Sequence, residues 1–168
     1  VEEPLCTNEP NAWAHMEVRE ERPGLFVCTP RLPEGTSPAD SIMLQRSLLE
    51  ELVREYSVHM PVVWFYTPMA LPLVDRIEAS LVVYDCMDEL SGFLGAPPEL
   101  LDREQQLFAR ADLVFTGGHS LYEAKRTQHP RVHAFPSSVD AAHFERARGA
   151  MQERAEQRAL PRPRVGYF

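Results

Sequence analysis

Residues 80–89 read SLVVYDCMDE. Leu81, Val82 and Val83 form an apolar run of the kind buried in a parallel sheet. The run passes into Tyr84 and Asp85, and Asp88 and Glu89 follow at once. A buried strand that ends in carboxylates fits an open α/β sheet, where ligands bind beyond the carboxyl ends of the strands.

The flanking sequence repeats the theme. Upstream, PVVWFYTP (61–68) is a second apolar run bounded by prolines, and 69–78 reads as a short helix with Pro72 near its first turn. Before it, Ser41 to Tyr56 carries Ile42, Leu44, Leu48, Leu49, Leu52 and Val53 at helical spacing. Downstream, Glu99 to Ala111 reads as a strong helix and DLVFTGG (112–118) as a buried strand. Ser120 opens a further helix, with Ser120 and Glu123 spaced as a capping box. RVHAFPSSVD (131–140) reads as a last short strand and turn. Strands and helices alternate from Ser41 onward, which predicts an α/β fold: a mostly parallel sheet with helices on both faces.

The amino-terminal part is different. Val1 to Pro4 reads as the tail of a strand, and 16–29 as two extended pieces around the turn Arg22-Pro23-Gly24. Residues 30–38, with three prolines and a glycine, read as loop. At the other end, 141–160 is charged and helix-prone, and PRPRVGYF (161–168) reads as a linker and the opening of a new strand. The expected organisation is one domain over 1–160 and the start of a second over 161–168. The chain opens on Val1 and stops mid-pattern at Phe168, so a fragment is expected.

Composition narrows the partners. The chain has 168 residues, 44% of them hydrophobic, which is enough for a core. A net charge of −8 argues against a nucleic-acid backbone as partner. No apolar run approaches the roughly 20 residues a membrane helix needs. Cys6, Cys28 and Cys86 are widely spaced and form no CxxC pair, so no metal site is expected and a reducing, cytoplasmic setting is.

Asp85 and Asp88 are the candidate catalytic residues: a carboxylate accepts hydrogen bonds from hydroxyl pairs, and partial burial tunes it as a general base. Against this stands a structural reading, with Asp88 capping a turn and Asp85 bonding backbone amides. Glu89 joins them as a substrate-binding candidate. Gly117, Gly118, His119 and Ser120 form a strand–glycine–helix turn suited to a phosphate or carboxylate, or simply a tight turn. Tyr66 and Thr67 end the second apolar run, where they line a cleft or merely terminate a strand. Glu104 falls on the apolar face of its helix and needs a partner, an arginine or backbone amides, as a structural strut.

The segments YDCMDE, ADLVFTGGHSLYEAK and FPSSVDAAHF together resemble the amino-terminal half of bacterial glycosyltransferases of the family 4 / family 1-like group, which includes teichuronic-acid-type sugar transferases. The resemblance implies one Rossmann-like half of a GT-B fold. It implies transfer of a sugar from a nucleotide-diphosphate sugar to a hydroxyl acceptor in a cleft between two domains, for cell-surface polysaccharide or glycolipid synthesis. No cofactor or bound metal is implied. The setting implied is cytoplasmic, with peripheral contact at the inner membrane face. The first strand of such a domain would precede Val1 and the donor domain would follow Phe168, so the fragment alone is expected to be inactive. A nucleotide-sugar epimerase of the same architecture and a non-catalytic sugar-binding module are the alternatives.

Overall fold

The computed structural model describes residues 1–7, 13–149, 155–158, 160–161 and 163–164. It divides into two compact units, Val1–Pro136 and Ser137–Phe168. The strand expected to open within 161–168 falls largely outside the described residues.

The first unit begins with a small sheet. β1 (Leu5–Thr7), β2 (His15–Arg22) and β3 (Leu25–Pro33) are ordered β1-β3-β2, with β1 parallel and β2 antiparallel to β3. The hairpin turn is the expected one: Gly24 takes φ +80°, a left-handed conformation that a Cβ disfavours. Two boundaries differ from the sequence reading. Val1 to Pro4 is not strand. Residues 30–33 continue β3 instead of forming a loop, because proline's fixed φ suits extended backbone and Cys28, Pro30 and Leu32 alternate into the interior.

α1 (Pro38–Glu55) starts earlier than its apolar periodicity suggested. Ser37 is the N-cap: its Oγ accepts from the Asp40 N–H at 3.2 Å, and Pro38 fills the first turn, where its missing N–H costs nothing.

The second sheet positions the site. β4 (Val62–Phe65), β5 (Leu81–Cys86), β6 (Leu113–Thr116) and β7 (Val132–Ala134) lie side by side in chain order, all parallel. A 3₁₀ helix, Pro68–Val74, joins β4 to β5. α2 (Leu100–Arg110) joins β5 to β6, and α3 (His119–Lys125) joins β6 to β7. This parallel sheet flanked by helices is a Rossmann-like α/β arrangement, as expected.

Phe65, Val82, Tyr84, Cys86 and Val114 from the strands pack with Leu71, Val74, Leu107 and Phe108 from the helical connections. Strand alternation sends the intervening residues to the other face. There Asp85, Phe115 and His133 stand in register across three strands. Trp64 and Phe115 lie 5.3 Å apart, Phe115 and Phe135 5.0 Å apart, making an aromatic file in which Trp64 and Phe135 are exposed.

Charged groups fasten the connections. Arg46 of α1 donates from Nε and Nη2 to the Pro72 carbonyl at 2.9 and 2.6 Å. Arg110 of α2 donates to the Val74 carbonyl at 3.0 Å, and both guanidinium groups reach Asp75. Two helices are thereby tied to one turn. His129 is built into the backbone: the Arg131 N–H donates to its Nδ1 at 3.1 Å, which leaves Nε2 to donate to the Ala111 carbonyl at 3.0 Å.

In the second unit, Asp140 caps α4 (Ala141–Glu145) by accepting from the His143 N–H at 3.0 Å. A 3₁₀ turn follows over Arg146–Arg148, then α5 (Ala155–Arg158). α4 buries none of its residues, in keeping with the weak apolar periodicity of this stretch.

Candidate functional site

Because β4 to β7 are parallel, their carboxyl ends share one edge, and the residues chosen from sequence lie at or just beyond those ends. Tyr66 and Thr67 follow β4. Asp85 lies one residue before the end of β5, with Asp88 and Glu89 just beyond it. Gly117, Gly118, His119 and Ser120 follow β6.

Each residue has a distinct setting. Tyr66 is exposed, and the Thr67 Oγ1 accepts from the Met69 N–H at 3.3 Å, capping the 3₁₀ helix. Asp85 is half-buried within the strand on the aromatic face, where it accepts from the Trp64 indole at 3.2 Å. Asp88 is exposed; its backbone carbonyl accepts weakly from the Cys86 thiol at 3.6 Å. Glu89 accepts from Lys125 Nζ and from Ser91 Oγ, both at 2.9 Å. Burial alone would raise the Glu89 carboxyl, but the hydrogen bonds from Lys125 and Ser91 outweigh it and hold the group below the ordinary carboxylate range.

The glycine turn is built differently from the sequence expectation. Gly118, with extended backbone, is the N-cap of α3, so the Ser120–Glu123 capping box does not form. Glu123 pairs instead with Arg126 at 2.7 Å. His119 and Ser120 are the exposed first residues of α3.

The two glycines are not equivalent. Gly117 donates its N–H to the Cys86 carbonyl at 3.1 Å, and a Cβ there would stand 2.7 Å from the Met87 carbonyl oxygen. Gly118 has open space around it. Gly117→Ala is therefore expected to cost about 1–3 kcal/mol by forcing two backbone segments apart. Gly118→Ala should stay within about 0.5 kcal/mol. Urea denaturation of both variants checks the contrast; equal effects would mean that Met87 yields freely.

Beneath this edge lies a buried polar network that sequence reasoning caught only in part. Glu104, on the inner face of α2, does have a structural partner, but it is Lys125, not an arginine. Lys125 Nζ bonds Glu104 Oε2 at 2.8 Å and Glu89 Oε1 at 2.9 Å, and stands 5.9 Å from the centre of the Phe108 ring. The other Glu104 oxygen accepts from the Tyr84 hydroxyl at 2.8 Å. Burial is the main cause that pushes the Tyr84 phenol far above its ordinary range, and burial likewise raises the Cys86 thiol. Lys125 is 3% exposed although it ends a short, mostly polar helix. Only the unpaired look of Glu104 hinted that a cation had to reach it.

A groove of about 560 Å³ between α2 and α3 is lined by Leu101, Gln105, Phe108 and Gln128 with the Glu104–Lys125 pair. None of the edge residues chosen from sequence lines it. All three cysteines are free, with Cys28 and Cys86 buried. Among the described residues no cluster of three or more His, Cys, Asp or Glu could hold a metal, and no helix is long and apolar enough to cross a membrane.

The fold defines an α/β protein with a parallel Rossmann-like sheet. A scan against protein-family models finds no match, and a search of curated protein sequences finds no relative.

Proposed function

We propose that the chain is the acceptor-side domain of a glycosyltransferase. In this reading a hydroxyl-bearing acceptor is activated for attack on a nucleotide-diphosphate sugar. The observation that carries the reading is the shared edge: Asp85 in the last pleat of β5, Asp88 and Glu89 just beyond it, and a glycine turn after β6 gather at the carboxyl ends of adjacent parallel strands, where α/β sheets take ligands. The sequence resemblance supplies the reaction class. Asp85 and Asp88 are the candidate bases, and Glu89 and Tyr66 orient hydroxyl groups. The Gly117–Ser120 turn would face the donor's phosphates, with the Gly117 N–H itself held by the Cys86 carbonyl. The reaction belongs on the cytoplasmic side of the membrane, where nucleotide sugars are at hand.

The test is transfer by the full-length gene product, followed as nucleoside diphosphate released from a panel of nucleotide sugars in the presence of hydroxyl acceptors. Asp85→Asn and Asp88→Asn are the informative variants. An asparagine at 85 still accepts from the Trp64 indole, so the fold is kept while the charge is lost. At least one is expected to lose tenfold or more in kcat, since a general base contributes on the order of 10²–10⁴ in rate. Wild-type kcat in both variants removes the carboxylates from the reaction. Sugar isomerisation without an acceptor would instead identify an epimerase, and binding without turnover a sugar-binding module.

A further inference from the structure

Three carboxylates follow one another at the end of β5, yet only one is held by an ion pair. Asp88 has no side-chain hydrogen bond among the described residues, and Asp85 has one neutral donor, the Trp64 indole. Glu89 is gripped by a lysine that is itself immobilised. The Lys125 side chain is 4% exposed, against 45% for Glu89. Its ammonium is fixed by Glu104, which the Tyr84 hydroxyl fixes in turn. The chain of bonds thus runs from the core side of β5, through α2 and the end of α3, up to the loop that leaves β5. Only Glu89 Oε1 is engaged: Lys125 and Ser91 both donate to it, and Oε2 takes no hydrogen bond among the described residues.

We propose that Lys125 is a positioning residue: by binding Glu89 from beneath, it holds the loop 87–92 in one arrangement at the carboxyl edge of the sheet, with the second oxygen of Glu89 turned outward. Two features argue that this is more than a scaffold contact. A buried lysine would satisfy Glu104 without reaching further, yet it spends a second hydrogen bond on a half-exposed loop residue. The loop's other hydrogen bonds are short-range or weak. Besides the Lys125 bond, it has the short 3₁₀ bonds from Gly92 N–H to the Glu89 carbonyl, 2.9 Å, and from Phe93 N–H to the Leu90 carbonyl, 3.3 Å, the Ser91 hydroxyl on Glu89, and one weak tie to the strand, from the Cys86 thiol to the Asp88 carbonyl at 3.6 Å. Glu89 is the side chain through which the loop is anchored to the core. That this serves a hydroxylated ligand rests on the proposed transferase reading; that Lys125 orders the loop does not.

The test is amide hydrogen exchange on Glu89→Ala, Glu89→Gln and the double variant Glu104→Gln/Lys125→Met. The double variant removes the lysine without stranding a buried carboxylate. In Glu89→Ala and the double variant, the Gly92 and Phe93 amides should exchange on the order of tenfold faster, while β5, β6 and α2 amides keep their protection. Glu89→Gln, whose amide oxygen still accepts from Lys125, should retain most of the protection. Unchanged exchange at Gly92 and Phe93 in Glu89→Ala overturns the proposal, as does an equal rise through α2 and β5 in both variants. The transfer assay is read separately. If the wild type transfers sugar, the double variant should raise KM for the acceptor at least fivefold with a smaller change in kcat, and an unchanged KM counts against positioning. If the wild type transfers nothing, the functional reading fails and exchange alone decides the role of Lys125.

Discussion

Replacing Lys125 with methionine is expected to lower the unfolding free energy by about 3–5 kcal/mol, the usual cost of removing one partner from a buried ion pair. The methionine removes the ammonium that stands over the Phe108 ring and leaves Glu104 inside the protein with the Tyr84 hydroxyl and, weakly at 3.9 Å, the Cys86 thiol to bond. Glu104→Gln combined with Lys125→Met should recover much of the loss, because no buried charge remains. Urea denaturation of the three proteins measures this directly, as a shift in midpoint at constant slope. A loss below about 1 kcal/mol in the single variant would mean that water reaches the pair.

The Lys125–Glu89 pair sets a pH dependence whose sign follows from two opposite shifts. Burial pulls the Lys125 ammonium downward, but its bonds to Glu104 and Glu89 outweigh burial and leave it above its ordinary value of 10.5. Its contribution is therefore complete below that value and is lost as pH rises through the higher folded value. Glu89 lies below its ordinary value of 4.5, so its contribution is complete above that value and is lost as pH falls through the lower folded value. Stability from this pair should be flat between these limits and decline on either side. In Lys125→Met the alkaline decline should be shallower than in the wild type.

Leu107→Ala is expected to cost about 2–5 kcal/mol. Leu107 is 0% exposed in α2 and packs in the cluster that includes Tyr84 and Val114 of the sheet. Neither neighbour can move into the space: Val114 is held in a central strand and Tyr84 by its bond to Glu104. The loss should exceed that of Leu107→Met, about 1.5 kcal/mol or less. Leu101→Ala, on the exposed side of the same helix, should change stability by no more than about 0.5 kcal/mol. Comparable losses at 101 and 107 would show that α2 is held by more than its inner face.

What could be read in the residues, and what could not, divides along range of interaction. β5, β6 and α2 announced themselves because their signals are local: short apolar runs, and a helix whose Leu100, Leu107 and Phe108 share a face. The start of α1 was also local, yet Ser37 and Pro38 sat in a stretch dominated by proline and glycine, and its loop-like composition masked the cap. Pro30 and Pro33 misled in the same way, since proline marks a break in a helix but fits an extended strand. The candidate site was legible as an edge, because parallel strands bring their carboxyl ends together whatever the details. Its interior was not. Glu104 and Lys125 are 21 residues apart, and nothing in the spacing of a polar seven-residue helix says that its last lysine turns inward. Asp85 lies within β5, beside Trp64, a pairing that depends on the register of two strands.

The unbroken order β4-β5-β6-β7 has a consequence for biosynthesis. From β5 onward, each strand's neighbour on one side is the strand made immediately before it. A nascent polypeptide leaving the ribosome can therefore lay down this sheet vectorially, one rung at a time. The lysine bridge is the exception: its acidic partners emerge first, and the cation that neutralises them arrives only when the third rung is already in place.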